Sequence, residues 1–199
     1  MPLLESEAPR DPFALFDRWF REAASAGALQ PDAMTLATSG EEGVSARMVL
    51  FKGIEDGAFL FYSNYGSRKG RDLAWYRGAA LVFYWAVTRH QVRVSGAVRK
   101  LGRGQTLEYF RSRPRGAQLS ALASRQSHLV RSREILENRV AELAAKYPDE
   151  VPMPNDWGGY ALRPNWLEFW ENREDRLHDR LRYTWRPPSG AWRIERLAP

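Results

Sequence analysis

After Asp11-Pro12, apolar residues recur three or four positions apart: Phe13, Phe16, Trp19, Phe20 and Ala23. That spacing predicts a helix with one buried face. Asp11 is placed as its N-cap, and Pro12 falls in the first turn, where its missing N–H costs nothing. The pattern then shortens. Residues 33–38 and 46–52 read as strands, 53–57 as a turn bounded by glycines, and 58–63 as a third strand. Residues 66–76 read as a helix. The continuous apolar and aromatic run 79–85 predicts a strand buried on both faces. Residues 91–101 alternate, with Val92 and Val94 opposing Gln91, Arg93 and Ser95. Helices are predicted over 104–113, 116–123 and 131–147, the last with Ile135, Leu136, Val140 and Leu143 at helical spacing. A Pro-rich loop, 148–156, leads to strands over 159–162, 166–170, 177–186 and 191–197.

Many strands with few crossover helices argue against a doubly wound parallel sheet. The expectation is a mainly β fold with peripheral helices, built as an antiparallel barrel. A chain of 199 residues is read as one domain, 11–199, behind a short N-terminal tail, 1–10. There are no cysteines, which excludes disulfides, thiolate metal sites and a cysteine nucleophile. Residues 1–10 are acidic and contain proline rather than an apolar core, so no signal peptide is expected. The longest apolar run, 79–87, is too short to span a bilayer. A cytoplasmic protein without membrane contact is the expectation.

Net charge is +6, which would admit a nucleic-acid partner. The charge is spread along the chain, however, and no such partner is expected. Four of the 30 basic residues are lysines, Lys52, Lys69, Lys100 and Lys146, which leaves 26 arginines, the residue suited to bidentate grip on phosphate or carboxylate. No dinucleotide, Walker or nucleophile-elbow motif is present. His90, His128 and His178 lack metal-ligand spacing, so no metal site is expected.

Four segments carry candidate chemistry. In 177–186, read as a strand, Arg176, His178, Arg180 and Arg182 share one face and Leu177, Leu181 and Tyr183 the other. So crowded a cationic face is either a solvated edge or a surface compensated by an anion. In Tyr62-Ser63-Asn64-Tyr65-Gly66-Ser67-Arg68-Lys69, Ser67 can cap a helix whose free N–H groups attract anions. Arg68 and Lys69 oppose the helix dipole there, as a tolerated cation pair or as phosphate ligands. Arg47 and Lys52 flank an apolar stretch with opposite parity, so a bulge or a strand end must intervene if both serve one site. Tyr109 to Pro114 and Ser124 to Ser127 bring hydroxyls, arginines and an amide near helix ends, where capping is the simpler role.

Leu167-Glu168-Phe169-Trp170, followed after a short gap by Arg176-Leu177-His178-Asp179-Arg180, resembles the signature of the pyridoxine/pyridoxamine 5'-phosphate oxidase family. The likeness continues in order through Asp11-Pro12, Arg47 to Lys52, Tyr62 to Lys69, His90-Gln91-Val92, Tyr109 to Pro114, Arg125-Gln126-Ser127, Val151 to Gly159 and Arg196-Leu197-Ala198-Pro199. It implies an FMN-binding split β-barrel, homodimeric, with the flavin at the subunit interface. The implied reaction is oxidation of pyridoxine or pyridoxamine 5'-phosphate to pyridoxal 5'-phosphate with O2, releasing H2O2, and ammonia from the amine. Arg47, Arg68 and Lys69 would grip the FMN phosphate, with Gln126 and Ser127 from the partner chain. Met48, Val49, Leu50, Phe51, Lys52, Tyr62, Ser63 and Gln91 would line the flavin, and Trp170 and Arg180 complete its pocket. Lys52, Tyr109 and Arg113 match ligands of the substrate phosphate. Arg176 and His178 match the catalytic pair that holds the substrate ring.

The chain departs from the family pattern at Ala117, where a phosphate-binding serine is usual, at Glu171 in place of glutamine, and at Gln30 in place of an acidic residue. Its N-terminus is also short. Two other readings are a phenazine-pathway flavin oxidase, whose members tend to lose the substrate-phosphate residues, and a non-catalytic FMN-binding split-barrel protein.

Overall fold

The computed structural model describes residues 3–187 and 189–199. Helix α1 (Pro12–Ser25) is capped by Asp11, whose carboxylate accepts from Phe13 N, and it buries Leu15, Phe16, Trp19 and Ala23. Strands β1 (Ala33–Gly40), β2 (Gly43–Leu50), β3 (Ile54–Glu55) and β4 (Ala58–Asn64) follow, then α2 (Arg68–Trp75), β5 (Gly78–Trp85) and β6 (His90–Lys100). Three helices, α3 (Arg103–Ser112), α4 (Arg115–Ala123) and α5 (Arg133–Lys146), precede β7 (Trp157–Glu171), β8 (Asp179–Arg186) and β9 (Ala191–Arg196).

All pairings among the described strands are antiparallel, in the order β2-β1-β5-β6-β7-β4-β3, with β8 on β7 and β9 on β8. Strand β7 organises the sheet. Its first half pairs with β4 (Trp157 opposite Asn64) and its second half with β8 (Trp170 opposite Arg180), while β6 runs along its other edge. The register shifts between Ser95 and Gly96 on β6, opposite residues 164–166, a bulge that increases local twist. Past the end of β2, Lys52 N donates to Leu60 O (2.8 Å) and Leu60 N to Gly53 O (2.9 Å). These bonds bring the β2 edge against β4 and curl the sheet around its core.

That core is the inward face of β1, β4, β5, β6, β7 and β8: Met34, Leu36, Phe59, Phe61, Leu81, Phe83, Val92, Val94, Leu167, Phe169, Leu181 and Tyr183 are all fully buried. Each such side chain contributes roughly 1.5–3 kcal/mol. Phe16 of α1 closes the barrel against Phe51, Phe59 and Phe83.

Several expectations are corrected. Strand β5 buries one face only: Tyr84 is 61% exposed on the other, because an apolar run does not say which of its faces has a partner. The turn at 53–57 contains the short strand β3, folded onto β4 through Asp56 and Gly57, both at positive φ. The stretches 159–162 and 166–170 are one continuous strand. The largest change is at 177–186. Glu174–Arg176 forms a 3-10 turn with Asp175 and Arg176 at positive φ, and the strand begins only at Asp179. Arg180 and Arg182 do alternate along β8, but Arg176 and His178 precede it, so strand parity does not place all four on one face.

Candidate active site

Two separate groups of side chains receive the residues predicted to act. The first surrounds the start of α2. Ser67 caps that helix, its Oγ accepting from Gly70 N (3.3 Å) and donating to Asn64 O (2.7 Å). At Gly70 an added Cβ would overlap the Tyr65 carbonyl, so only glycine lets the helix begin this close to β4. The result holds Lys69 at 7% exposure, its Nζ donating to Gln126 Oε1 (3.0 Å). Ser63 Oγ donates to the same oxygen (3.1 Å). Gln126, expected from a partner chain, reaches Lys69 and Ser63 within its own chain.

Arg47 stands on β2, opposite Leu36. Its Nη1 donates to Thr38 Oγ1 (2.6 Å) and Leu36 O (3.2 Å), and its Nη2 lies 3.5 Å from Asp72 Oδ2, which also accepts from Thr38 (2.6 Å). Arg68 reaches the Glu42 carbonyl, yet its buried Nε has no partner among the described residues. Burial, then the Arg47 charge, pushes the Lys69 ammonium down to about 8. Burial likewise lowers Arg47. Buried cations on a helix N-terminus, balanced by the buried Asp72, make a site that gains from an anion.

A cavity of about 780 Å³ opens beside Lys69. Of the predicted residues, Met48, Val49, Leu50, Lys52, Tyr62, Ser63, Lys69, Tyr109, Arg113, Ala117 and Gln126 line it. Lys52 lies beyond the end of β2, which resolves the parity problem it posed against Arg47. Across from Lys69, Tyr62 stacks on Tyr109 (3.8 Å between centroids) and on Trp157 (5.6 Å). Burial, then Tyr109, raises the Tyr62 phenol to about 12, so it stays protonated. The Arg113 guanidinium sits 4.8 Å over the Trp157 ring. Burial lowers its pKa, and its buried Nη1 has no partner among the described residues. Lys52 Nζ is paired with Asp32 (2.9 Å). Phe51 contributes no ring to this space, since its side chain is packed in the core against Phe16, Phe59 and Phe83.

The second group lies on β6, β7 and β8, where Gln91, Trp170 and Arg180 stand in register across the three strands. The His178 ring is 4.7 Å from that of Trp170, and its Nδ1 accepts from Arg173 N (3.1 Å). Gln91, Trp170, Arg176, His178 and Arg180 do not line the cavity of the first group, nor do Arg47, Arg68 or Ser127.

Sequence reasoning missed the carboxylate that organises the second group. Glu168 is 1% exposed and accepts from Arg180 Nε (3.0 Å) and Nη2 (2.8 Å), Arg182 Nη2 (3.3 Å) and Arg93 Nη1 (3.4 Å). The cationic face of β8 is thus compensated from within, by a residue of the signature segment itself. Only the register, Arg93 opposite Glu168 opposite Arg182, reveals it. Asp32, Asp72 and Trp157 were also missed. Each lies far from its partner in sequence, and none sits in a pattern that periodicity detects.

Residues 20–147 match a family model described as pyridoxamine 5'-phosphate oxidase, and residues 157–199 one described as the pyridoxine 5'-phosphate oxidase C-terminal dimerisation region. The chain is 51% identical over 192 residues to a pyridoxine/pyridoxamine 5'-phosphate oxidase of Salinibacter ruber, covering 95% of this chain and 89% of that protein. It is 48% identical over 197 residues to one of Burkholderia lata, covering 98% and 92%. Among solved structures it superposes with a TM-score of 0.91 on PhzG from Burkholderia lata in complex with tetrahydrophenazine-1-carboxylic acid, at 33% identity, covering 98% of this chain and 95% of that one. The fold, the matched models and these identities agree: this chain belongs to the pyridoxamine 5'-phosphate oxidase family.

Proposed function

We propose that the protein is an FMN-dependent oxidase that converts pyridoxine or pyridoxamine 5'-phosphate to pyridoxal 5'-phosphate. The observation that carries this reading is a cavity lined by cations at two places, Lys69 in the first turn of α2 and Lys52 with Arg113 beside Tyr109, with Arg47 and Arg68 near Lys69 but outside the lining. Two buried guanidinium nitrogens, Arg68 Nε and Arg113 Nη1, are without partners among the described residues. Unsatisfied buried donors are costly, and one phosphate for each group would satisfy both. The residues therefore fit a flavin mononucleotide held through its phosphate at α2, with a second phosphorylated molecule held by Lys52, Tyr109 and Arg113.

Bound FMN would supply the two-electron acceptor that dioxygen reoxidises, and the protein would supply orientation and charge. Lys69, Arg47 and Arg68 neutralise the cofactor phosphate, with Gln126, Ser127 and Ser63 as further polar partners. Met48, Val49, Leu50, Lys52 and Tyr62 line the cavity and would form the wall for the ring system. Holding two phosphates in fixed register sets the reacting carbon against the acceptor, a proximity effect. Oxidation removes two electrons and two protons from the substrate carbinol or amine, O2 takes them up as H2O2, and the imine from the amine hydrolyses to aldehyde and ammonia.

Gln91, Trp170, Arg176, His178 and Arg180 lie apart from the cavity of their own chain, so this reading makes the enzyme a homodimer in which one chain's β6–β8 face completes its partner's site. The match of residues 157–199 to a dimerisation region supports it. Arg176 and His178 would orient the substrate ring.

The likeness to PhzG favours a second reading, oxidation of a phenazine precursor. Lys52, Tyr109 and Arg113 weigh against it, since a substrate without phosphate would make no use of these two cations and the phenol beside them. The test is the absorption spectrum of the purified protein, followed by pyridoxal 5'-phosphate formation under air. A yellow dimer that forms the aldehyde supports the first reading. A yellow protein that oxidises only a dihydrophenazine supports the second, and a colourless one refutes both.

A further inference from the structure

The pairing of Lys52 with Asp32 has the marks of a built feature. Asp32 Oδ2 lies 2.9 Å from Lys52 Nζ, with about a quarter of each side chain exposed (29% and 27%). Both residues are fixed through the backbone. Asp32 O accepts from Phe51 N (2.8 Å), and Lys52 N donates to Leu60 O (2.8 Å). The preceding residue is pinned as well, Pro31 O accepting from Trp85 Nε1 (2.9 Å). A chance surface pair has no such frame, and its ends drift apart in water.

The two cations near Tyr109 are therefore unequal. Arg113 has a buried Nη1 with no partner among the described residues, whereas Lys52 already has a carboxylate on its ammonium. A phosphate monoester, close to dianionic at neutral pH, would pair fully with Arg113. It could gain Lys52 only by sharing it with Asp32 or displacing that carboxylate, which also repels it. We infer that Asp32 is a specificity-determining residue that competes with the phosphate of an incoming ligand for Lys52 and so holds phosphate affinity at this end of the cavity below what the two cations would otherwise give. The inference rests on the reading of Lys52 and Arg113 as substrate-phosphate ligands. Its consequence is release: a product carrying the same phosphate leaves sooner than it would from an unopposed cation pair.

The experiment is calorimetric titration of inorganic phosphate into the protein as purified, for wild type, Asp32→Asn, Lys52→Met and the double variant. KM and kcat for pyridoxine 5'-phosphate are measured beside it. Asp32→Asn keeps the shape and a hydrogen-bond acceptor but removes the charge. The expected result is phosphate binding roughly two- to fivefold tighter, the scale of one partly exposed charge pair. KM should fall by a similar factor, kcat should not rise, and Asp32→Asn should have no effect in the Lys52→Met background. Unchanged or weaker phosphate binding in Asp32→Asn overturns the inference, and so does an equal gain without Lys52. A merely structural Asp32 would give the opposite sign, a lower Tm with a raised KM. Should the wild type prove colourless or inactive, the proposed reaction falls, while the phosphate titrations still decide the roles of Asp32 and Lys52.

Discussion

Replacing Glu168 with leucine should cost the protein about 2–3 kcal/mol, out of proportion to the loss of one side chain from the surface of a sheet. Glu168 is 1% exposed and collects hydrogen bonds from Arg93, Arg180 and Arg182. Removing one partner of a fully buried ion pair costs about 3–5 kcal/mol, because a charge is left without compensation. Here the stranded charges are not fully buried: the arginine side chains are 42%, 24% and 34% exposed, so water recovers part of the loss. Leucine also regains roughly 1 kcal/mol of apolar burial. With a typical urea m-value of about 2 kcal/mol/M, the midpoint should fall by about 1–1.5 M at constant slope. The assay is urea unfolding followed by tryptophan fluorescence. Protomer concentration and FMN must be held constant, since association and ligand both stabilise the native state. Glu168→Gln, which keeps the acceptor without its charge, should lose about half as much. A Glu168→Leu protein as stable as wild type would show that the arginines are adequately solvated on this face and that the carboxylate does not organise it.

Other outcomes test the site. The folded Lys69 pKa of about 8 lies below its ordinary 10.5, so between these values the unfolded chain holds the extra proton, and this residue makes the flavin-free protein more stable as pH rises through that window. A bound phosphate favours the charged ammonium, so FMN binding near pH 8.5–9 (between the two values cited) should take up a proton. Calorimetry in two buffers of different ionisation enthalpy measures it, and identical heats would refute the assignment. Ala117→Ser, on the cavity wall in the first turn of α4, should strengthen substrate binding by at most about tenfold, near 1.4 kcal/mol, read as a lower KM; an unchanged KM means another group already supplies that bond. Arg176→Ala should keep the flavin spectrum and lose kcat/KM, whereas Arg180→Ala, which also breaks the bidentate contact to Glu168, should lose FMN. Full flavin and full activity in Arg180→Ala would reverse that division.

The order and kind of the elements were legible because they depend on local periodicity. The stripe on α1, the alternation of β6 and the cap of α2 by Ser67 are each set by residues a few positions apart. The likeness to an oxidase family was legible too, since it rests on residue identities strung along the chain. Tertiary structure alone decided which residues meet. Strand parity put Arg176 and His178 beside Arg180, but positive φ at Asp175 and Arg176 breaks the strand before Asp179, a conformation that aspartate tolerates but that the alternation of the segment does not signal. The compensation of the β8 arginines by Glu168 depends on the register of three strands, and register follows from packing across the whole sheet. The pairing of Lys52 with Asp32, twenty residues away, follows from the register of β1 on β2, and the meeting of Tyr62 with Tyr109 and Trp157 from the packing of α3 beside the β4–β7 pair. The separation of the predicted residues into two groups has the same origin: a sheet has two faces, so residues adjacent in a motif need not open on the same cavity.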